Sequence, residues 1–166
     1  LSPFVGAVEG QFLLHAGRSD EALARLNDTF VLAPNFWFPH LFASSAYIEK
    51  GMYAEAVREA RRATELSGFQ TFSAVHEGYA LAKLDKREEA RAILEQLLKL
   101  SEQRFVPPYH IALLYNALGE REQTFMWLER AFQEGDAKLT FLKVEPKWNN
   151  LRSDAKFQEV MKRAGF

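Results

Sequence analysis

The chain has 166 residues, 48% of them hydrophobic, and its 21 lysines and arginines nearly balance 22 aspartates and glutamates. This length supports one domain with a substantial core, and the apolar content excludes an intrinsically disordered segment. A formal net charge of −1 provides no large field to attract nucleic acid or an anionic membrane, and the absence of cysteine excludes disulfide frameworks, thiolate catalysis and cysteine-based zinc sites.

Charges interrupt every helix-length apolar window, so no membrane span is expected and cytoplasm is the default location. The chain begins at Leu1, and Leu1–Gly10 lacks the basic start and long apolar centre of a signal peptide. It reads as a fragment of a larger protein.

In chain order, Gly17, Gly51, Asp85 and Gly119 stand 34 residues apart, each followed by a charged, alanine-containing helical run. Aligning on them sets four gapless frames, residues 3–36, 37–70, 71–104 and 105–136, each predicted to hold two helices of about 12–14 residues. The frames open at Pro3, Trp37, Thr71 and Phe105. Proline falls near first helices at Pro3, Pro39, Pro107 and Pro108, where a missing N–H costs little.

Position 8 of the frames is small (Gly10, Ser44, Gly78, Ala112), as required where paired helices cross closely, and position 11 is a large wedge (Leu13, Tyr47, Leu81, Tyr115). Position 20 holds Ala22, Ala56, Ala90 and Thr124, and position 27 holds Thr29, Ala63, Leu97 and Ala131. The charged second helices, such as the run Glu55, Arg58, Glu59, Arg61, Arg62 and Glu65, are expected to turn their polar faces to water.

Asp85 replaces the turn glycine in frame three, a position where aspartate tolerates a left-handed or capping conformation. After Asp136 the pattern changes, and residues 137–166 form an atypical capping segment with a helix starting near Ser153 or Asp154. Phe157, Val160, Met161 and Phe166 are expected to cover the fourth repeat, with Lys156, Glu159, Lys162 and Arg163 toward solvent.

The period, the small residues at positions 8 and 20, the turn glycine and the aromatic wedges together resemble the tetratricopeptide repeat family over residues 3–136. The resemblance implies an all-α, right-handed superhelical solenoid of four antiparallel helix pairs with a C-terminal helical cap. The segment from Leu151 to Phe157 is similar to the ends of repeat arrays in multidomain bacterial proteins. That likeness implies, as an alternative role, a regulatory or self-association segment of a transcription regulator, kinase or cyclase.

In this family, positions 2, 5, 9, 12 and 13 line a concave surface that binds a protein or peptide. Here the resemblance assigns that surface to Phe4, Phe38 and Phe72 at position 2. Leu41, Val75 and Tyr109 follow at position 5, and Gln11, Ser45, Tyr79 and Leu113 at position 9. The mapped surface is apolar and aromatic, so an apolar or amphipathic segment suits it. Two readings of the phenylalanines stand: they contact a partner, or they pack on neighbouring first helices or a segment of the same protein. A basic clamp for an acidic chaperone tail is not expected, because Lys83 is an isolated cation at the edge.

His76 and His110 occupy equivalent frame positions without a third ligand beside them, so they read as hydrogen-bonded structural histidines and no metal is expected. Nothing resembles a nucleophile motif or a phosphate-cradling loop, so neither catalytic residues nor a cofactor are expected. Arg58, Arg61 and Arg62 lie apart from the aromatic surface and among glutamates, which argues against nucleic acid.

Overall fold

In the computed structural model, which describes residues 2–166, the start of every second helix keeps the 34-residue interval. These helices are α2 (Ser19–Leu32), α4 (Tyr53–Ser67), α6 (Arg87–Ser101) and α8 (Arg121–Gln133). The first helices are α1 (Pro3–His15), α3 (Trp37–Glu49), α5 (Thr71–Lys83) and α7 (Pro108–Ala117). Among the described residues there is no strand, and no helix is long and apolar enough to cross a membrane.

Every turn between paired helices is built alike. Gly17, Gly51, Asp85 and Gly119 have φ of 72°, 71°, 61° and 78°, the left-handed region that lets a helix stop abruptly. The next residue then donates its N–H back to the position-11 carbonyl, as from Arg18 to Leu13 at 2.9 Å and from Met52 to Tyr47 at 2.8 Å. Lys86 to Leu81 and Glu120 to Tyr115 repeat the bond at 2.9 Å. The large residue of position 11 thus also supplies the carbonyl that closes the helix. Asp85 is the only non-glycine with positive φ among the described residues.

The chain forms two compact units divided within α6, residues 1–89 and 90–166. In the first, α1 packs on α2, α3 on α4, and each later first helix rests on the preceding pair. Small residues allow this approach. Ser44 is fully buried and its hydroxyl donates to the Ala56 carbonyl at 2.9 Å, drawing α3 onto α4. Ala22, Ala56 and Ala63 are fully buried, and Thr29 nearly so. Polar ties lie at the margins, including His40 Nδ1 with Glu59 at 2.7 Å and Arg61 with Glu77 at 2.7 Å and Glu89 at 3.2 Å.

A β-carbon added at Gly10 would stand 2.7 Å from Leu26 Cδ2 and 2.8 Å from its branch carbon. Gly10→Ala is therefore expected to destabilise the chain by about 1–2 kcal/mol, since overpacking costs about 1–3 kcal/mol and the helix-propensity gain returns less than about 1. Urea unfolding measures this difference, and a variant as stable as the parent would show that Leu26 moves aside freely.

In the second unit α7 pairs with α8 and with a 3-10 turn at Pro146–Leu151. The fourth first helix starts three residues into its frame, because Pro107 and Pro108 leave the preceding backbone extended. The C-terminal segment consists of the 3-10 turns Ala137–Phe141 and Pro146–Leu151, followed by α9 (Ala155–Arg163). Helix α9 starts 34 residues after α8, so the spacing persists although the preceding first helix is replaced by two short turns. Pro146 stands where earlier frames have a small helical residue, and it breaks that helix.

Asp154 caps α9 by accepting from the Lys156 and Phe157 N–H groups at 2.9 and 3.4 Å, and it pairs with Arg121 at 2.7 and 2.9 Å. Arg163 pairs in the same two-pronged way with Glu129 at 2.7 and 3.1 Å. Phe157 and Val160 are buried, Met161 is half-buried, and Lys156, Glu159, Lys162 and Arg163 are exposed. Phe166 corrects the sequence expectation: it is exposed, with Lys143 Nζ 5.6 Å from its ring centre, because the chain turns away after Gly165.

Candidate functional site

Phe4, Phe36, Trp37 and Phe42 form a connected aromatic cluster around Phe38. The Phe4 and Phe38 rings lie parallel, with centroids 5.9 Å apart and planes 3° from alignment. Phe38 meets Phe42 edge-on at 4.7 Å and Trp37 at 5.1 Å, and Phe36 lies tilted at 6.1 Å. Such pairs add about 0.5–1.5 kcal/mol each beyond area burial. Phe38 is accordingly half-buried and structural in part, whereas Phe4 and Phe72 are 58% and 37% exposed.

The remaining assigned residues differ in accessibility. Leu41, Val75 and Tyr79 are buried, as are Ala7, Leu14 and Ile48. Gln11 and Ser45 are half-buried, and His15 and Lys83 are exposed. Lys83 stands with its ammonium 5.3 Å from the Tyr79 ring centre. Glu49 receives the Ser19 hydroxyl at 2.6 Å. Of the residues assigned to ligand in unit one, Phe4 and Phe72 are thus exposed, while Phe38, Gln11 and Ser45 are half-buried.

In unit two the equivalent positions are covered by the chain itself. Tyr109 and Leu113 are buried, and the Tyr109 hydroxyl accepts the Trp148 indole N–H at 2.7 Å. Asn116 donates to the Lys147 carbonyl at 3.0 Å and exchanges amide bonds with Asn150 at 3.1 and 2.8 Å. The segment Pro146–Leu151 therefore occupies the α7 face assigned to ligand, with Trp148 fully buried between Tyr109 and Phe157. Neither Tyr109 nor Leu113 is open to a partner in this arrangement.

Two further roles escape the sequence pattern. Asp136 is buried and accepts from the N–H groups of Tyr109 and Lys138, both at 2.9 Å, which fixes α7 to the turn that follows α8. A cleft of about 780 Å³ separates α8 from α9, with Phe125 and Val160 inside and Glu122, Arg130, Lys156 and Arg163 on its rim. The signal for Asp136 was its position one residue after Gly135, which has φ 67° and ends α8. The cleft is lined at matching positions 34 residues apart, such as Glu122 with Lys156 and Met126 with Val160, but the interval does not record whether the space between two helices is filled.

Burial governs the titration of α7. It pushes the Tyr109 phenol up, with the Glu145 charge adding to the effect. Burial also pushes the His110 imidazole down to about 3, helped by the positive charges of Lys138 and Lys147. Charge on either ring would be poorly solvated, so both stay neutral near pH 7.

Comparison with known proteins agrees with the helix-pair geometry. Residues 74–104 match the tetratricopeptide repeat family model. TTC0263, a thermophilic tetratricopeptide-repeat protein of Thermus thermophilus, is similar with a TM-score of 0.67 at 20% identity, over 97% of this chain and 82% of its own. The MamA RS-1 double mutant gives 0.58 at 16% identity over 98% and 92% of the two chains, and MamA gives 0.55 at 16% identity over 93% and 91%. Comparison with curated proteins gives no match. Residues 74–104 form a tetratricopeptide repeat, and the chain has the fold of tetratricopeptide-repeat proteins.

Proposed function

We propose that the chain is a protein-interaction scaffold whose unit-one aromatic surface receives an apolar or amphipathic segment of a partner polypeptide. The observation that carries this reading is the exposure of Phe4 and Phe72, with Phe4 stacked on a Phe38 already held by its neighbours. Aromatic side chains anchored in this way offer large contact area with little rotamer entropy left to lose. Gln11 and Ser45, both half-buried, supply hydrogen-bonding groups on the helices that carry Phe4 and Phe38. The scarcity of cations there speaks against an acidic tail as the ligand.

Peptides selected from a random library against the chain provide the test. Phe4→Ala with Phe72→Ala is expected to weaken a selected peptide by about 10–100-fold, the range of about 1–3 kcal/mol for aromatic anchors. Helical circular dichroism should remain at the parent level, because α1 and α5 keep their buried anchors Ala7 and Leu14, and Val75 and Leu81. Selected peptides that bind the double variant as tightly as the parent would exclude this surface.

A second reading, a groove filled from within the protein, draws support from the Trp148–Tyr109 contact. That support is limited to α7, and Phe4 keeps more than half of its surface exposed.

A further inference from the structure

Helix α9 is held differently from the helices before it. Of its nine residues only Phe157 and Val160 are buried, whereas α8 buries Thr124, Phe125, Trp127, Leu128 and Ala131. The cleft of about 780 Å³ lies between the two helices, so their middles are loosely packed. The ends are tied by charge instead. Arg121 grips Asp154 ahead of the first turn, and Arg163 in the last turn grips Glu129, each through two guanidinium nitrogens. Both ties reach solvent, since the Arg121, Arg163 and Glu129 side chains are all half exposed.

Asp154 joins the folding of α9 to its docking. Its Oδ1 accepts from the Lys156 and Phe157 N–H groups and so caps the helix, while both of its oxygens accept from Arg121 on α8. A helix of nine residues does not persist in water by itself, because isolated helices shorter than about 12–15 residues are marginal. Leaving α8 therefore also unwinds α9.

We infer that α9 is a latch that opens without the rest of unit two, with Asp154 as its catch. Closed, Phe157 stacks on Trp148 and the Lys156 ammonium lies 4.9 Å from the Phe125 ring centre. Open, the Trp148 and Phe125 faces are bared, while α7, α8 and Pro146–Leu151 keep their own ties through Tyr109, Asn116 and Asp136. Salt screens exposed ion pairs, so raising it shifts the balance toward the open form. The fold thus carries an apolar seat whose exposure follows ionic strength.

Amide hydrogen exchange of the 166-residue chain, resolved by residue, reads the opening. Amides 159–162 of α9 are expected to be protected at least about tenfold less than amides 128–131 of α8. Raising sodium chloride from about 0.05 to 1 M should lower α9 protection a further two- to fivefold or so and leave α8 unchanged. Asp154→Asn keeps a capping oxygen and loses the charge, so it should lower α9 protection by a similar factor and reduce the salt response. Asp154→Ala loses the cap as well and should cost α9 about tenfold, again without effect on α8. Equal protection of α9 and α8 would overturn the proposal, as would an Asp154→Ala variant that speeds both helices alike, because either marks one cooperative unit. Exchange of α9 that ignores both salt and Asp154→Asn would overturn the catch. The measurement uses no ligand, so its outcome is independent of the unit-one surface.

Discussion

Replacing Trp148 with alanine should destabilise the second unit by about 3–5 kcal/mol, the usual loss for a large aromatic residue removed from a core. Trp148 is fully buried, stacks on Phe157 at 5.7 Å, meets Tyr109 edge-on at 5.5 Å and donates its indole N–H to the Tyr109 hydroxyl. Its removal opens a cavity and leaves the buried phenol without that donor. Trp148→Phe separates the contributions: it keeps most of the ring contact and loses the hydrogen bond, so about 1–2 kcal/mol should go. Urea unfolding followed by far-ultraviolet dichroism reads both. An alanine variant within about 1 kcal/mol of the parent would mean that Pro146–Leu151 contributes little to holding α7.

Acid should weaken the chain through His110 before it acts through carboxylates. The imidazole titrates near 3 in the folded protein and near 6.5 when unfolded, so the unfolded chain binds the extra proton between these values. Stability therefore rises with pH across that window and falls on acidification. At pH 5 the loss attributable to His110 is about 2 kcal/mol, since each unit below 6.5 contributes about 1.4. The Asp154 and Glu129 carboxylates are held low by their hydrogen bonds to Arg121 and Arg163, and their contributions disappear only at still lower pH. Comparing the parent with His110→Gln at pH 7 and pH 5 isolates the imidazole. Equal acid sensitivity of the two proteins would show that His110 is solvated in the fold.

The helix-pair fold was legible because it depends on repetition, and repetition survives substitution at any single residue. Gly17, Gly51, Asp85 and Gly119 all adopt the left-handed turn, including the aspartate, whose short polar side chain tolerates it. The small positions lie buried where helices cross, as Ser44 against the Ala56 carbonyl shows. Periodicity does not record what covers a helix. Phe72 and Tyr109 are both assigned to the ligand surface, at positions 2 and 5 of their frames, yet Tyr109 is closed by Trp148 and Phe72 is partly open.

The C-terminal segment was hidden for a related reason. Its second helix keeps the interval, but Pro146 replaces the first helix with 3-10 turns, so composition changes while spacing does not. Phe166 looked like a core residue because it is aromatic, and the turn at Gly165 carries it out to solvent. Asp136 acts through its carboxylate on backbone N–H groups 27 residues away and 2 residues ahead, a pairing that depends on folded geometry.

The charged outer face of α9 also limits assembly. Lys156, Glu159, Lys162 and Arg163 are all exposed, and burying them under an apolar surface of another molecule would strip their hydration without return. A contact of that unlike kind is the type that repeats without closing and draws molecules into fibres. Because α9 refuses it, this helix gives such growth no step to start from.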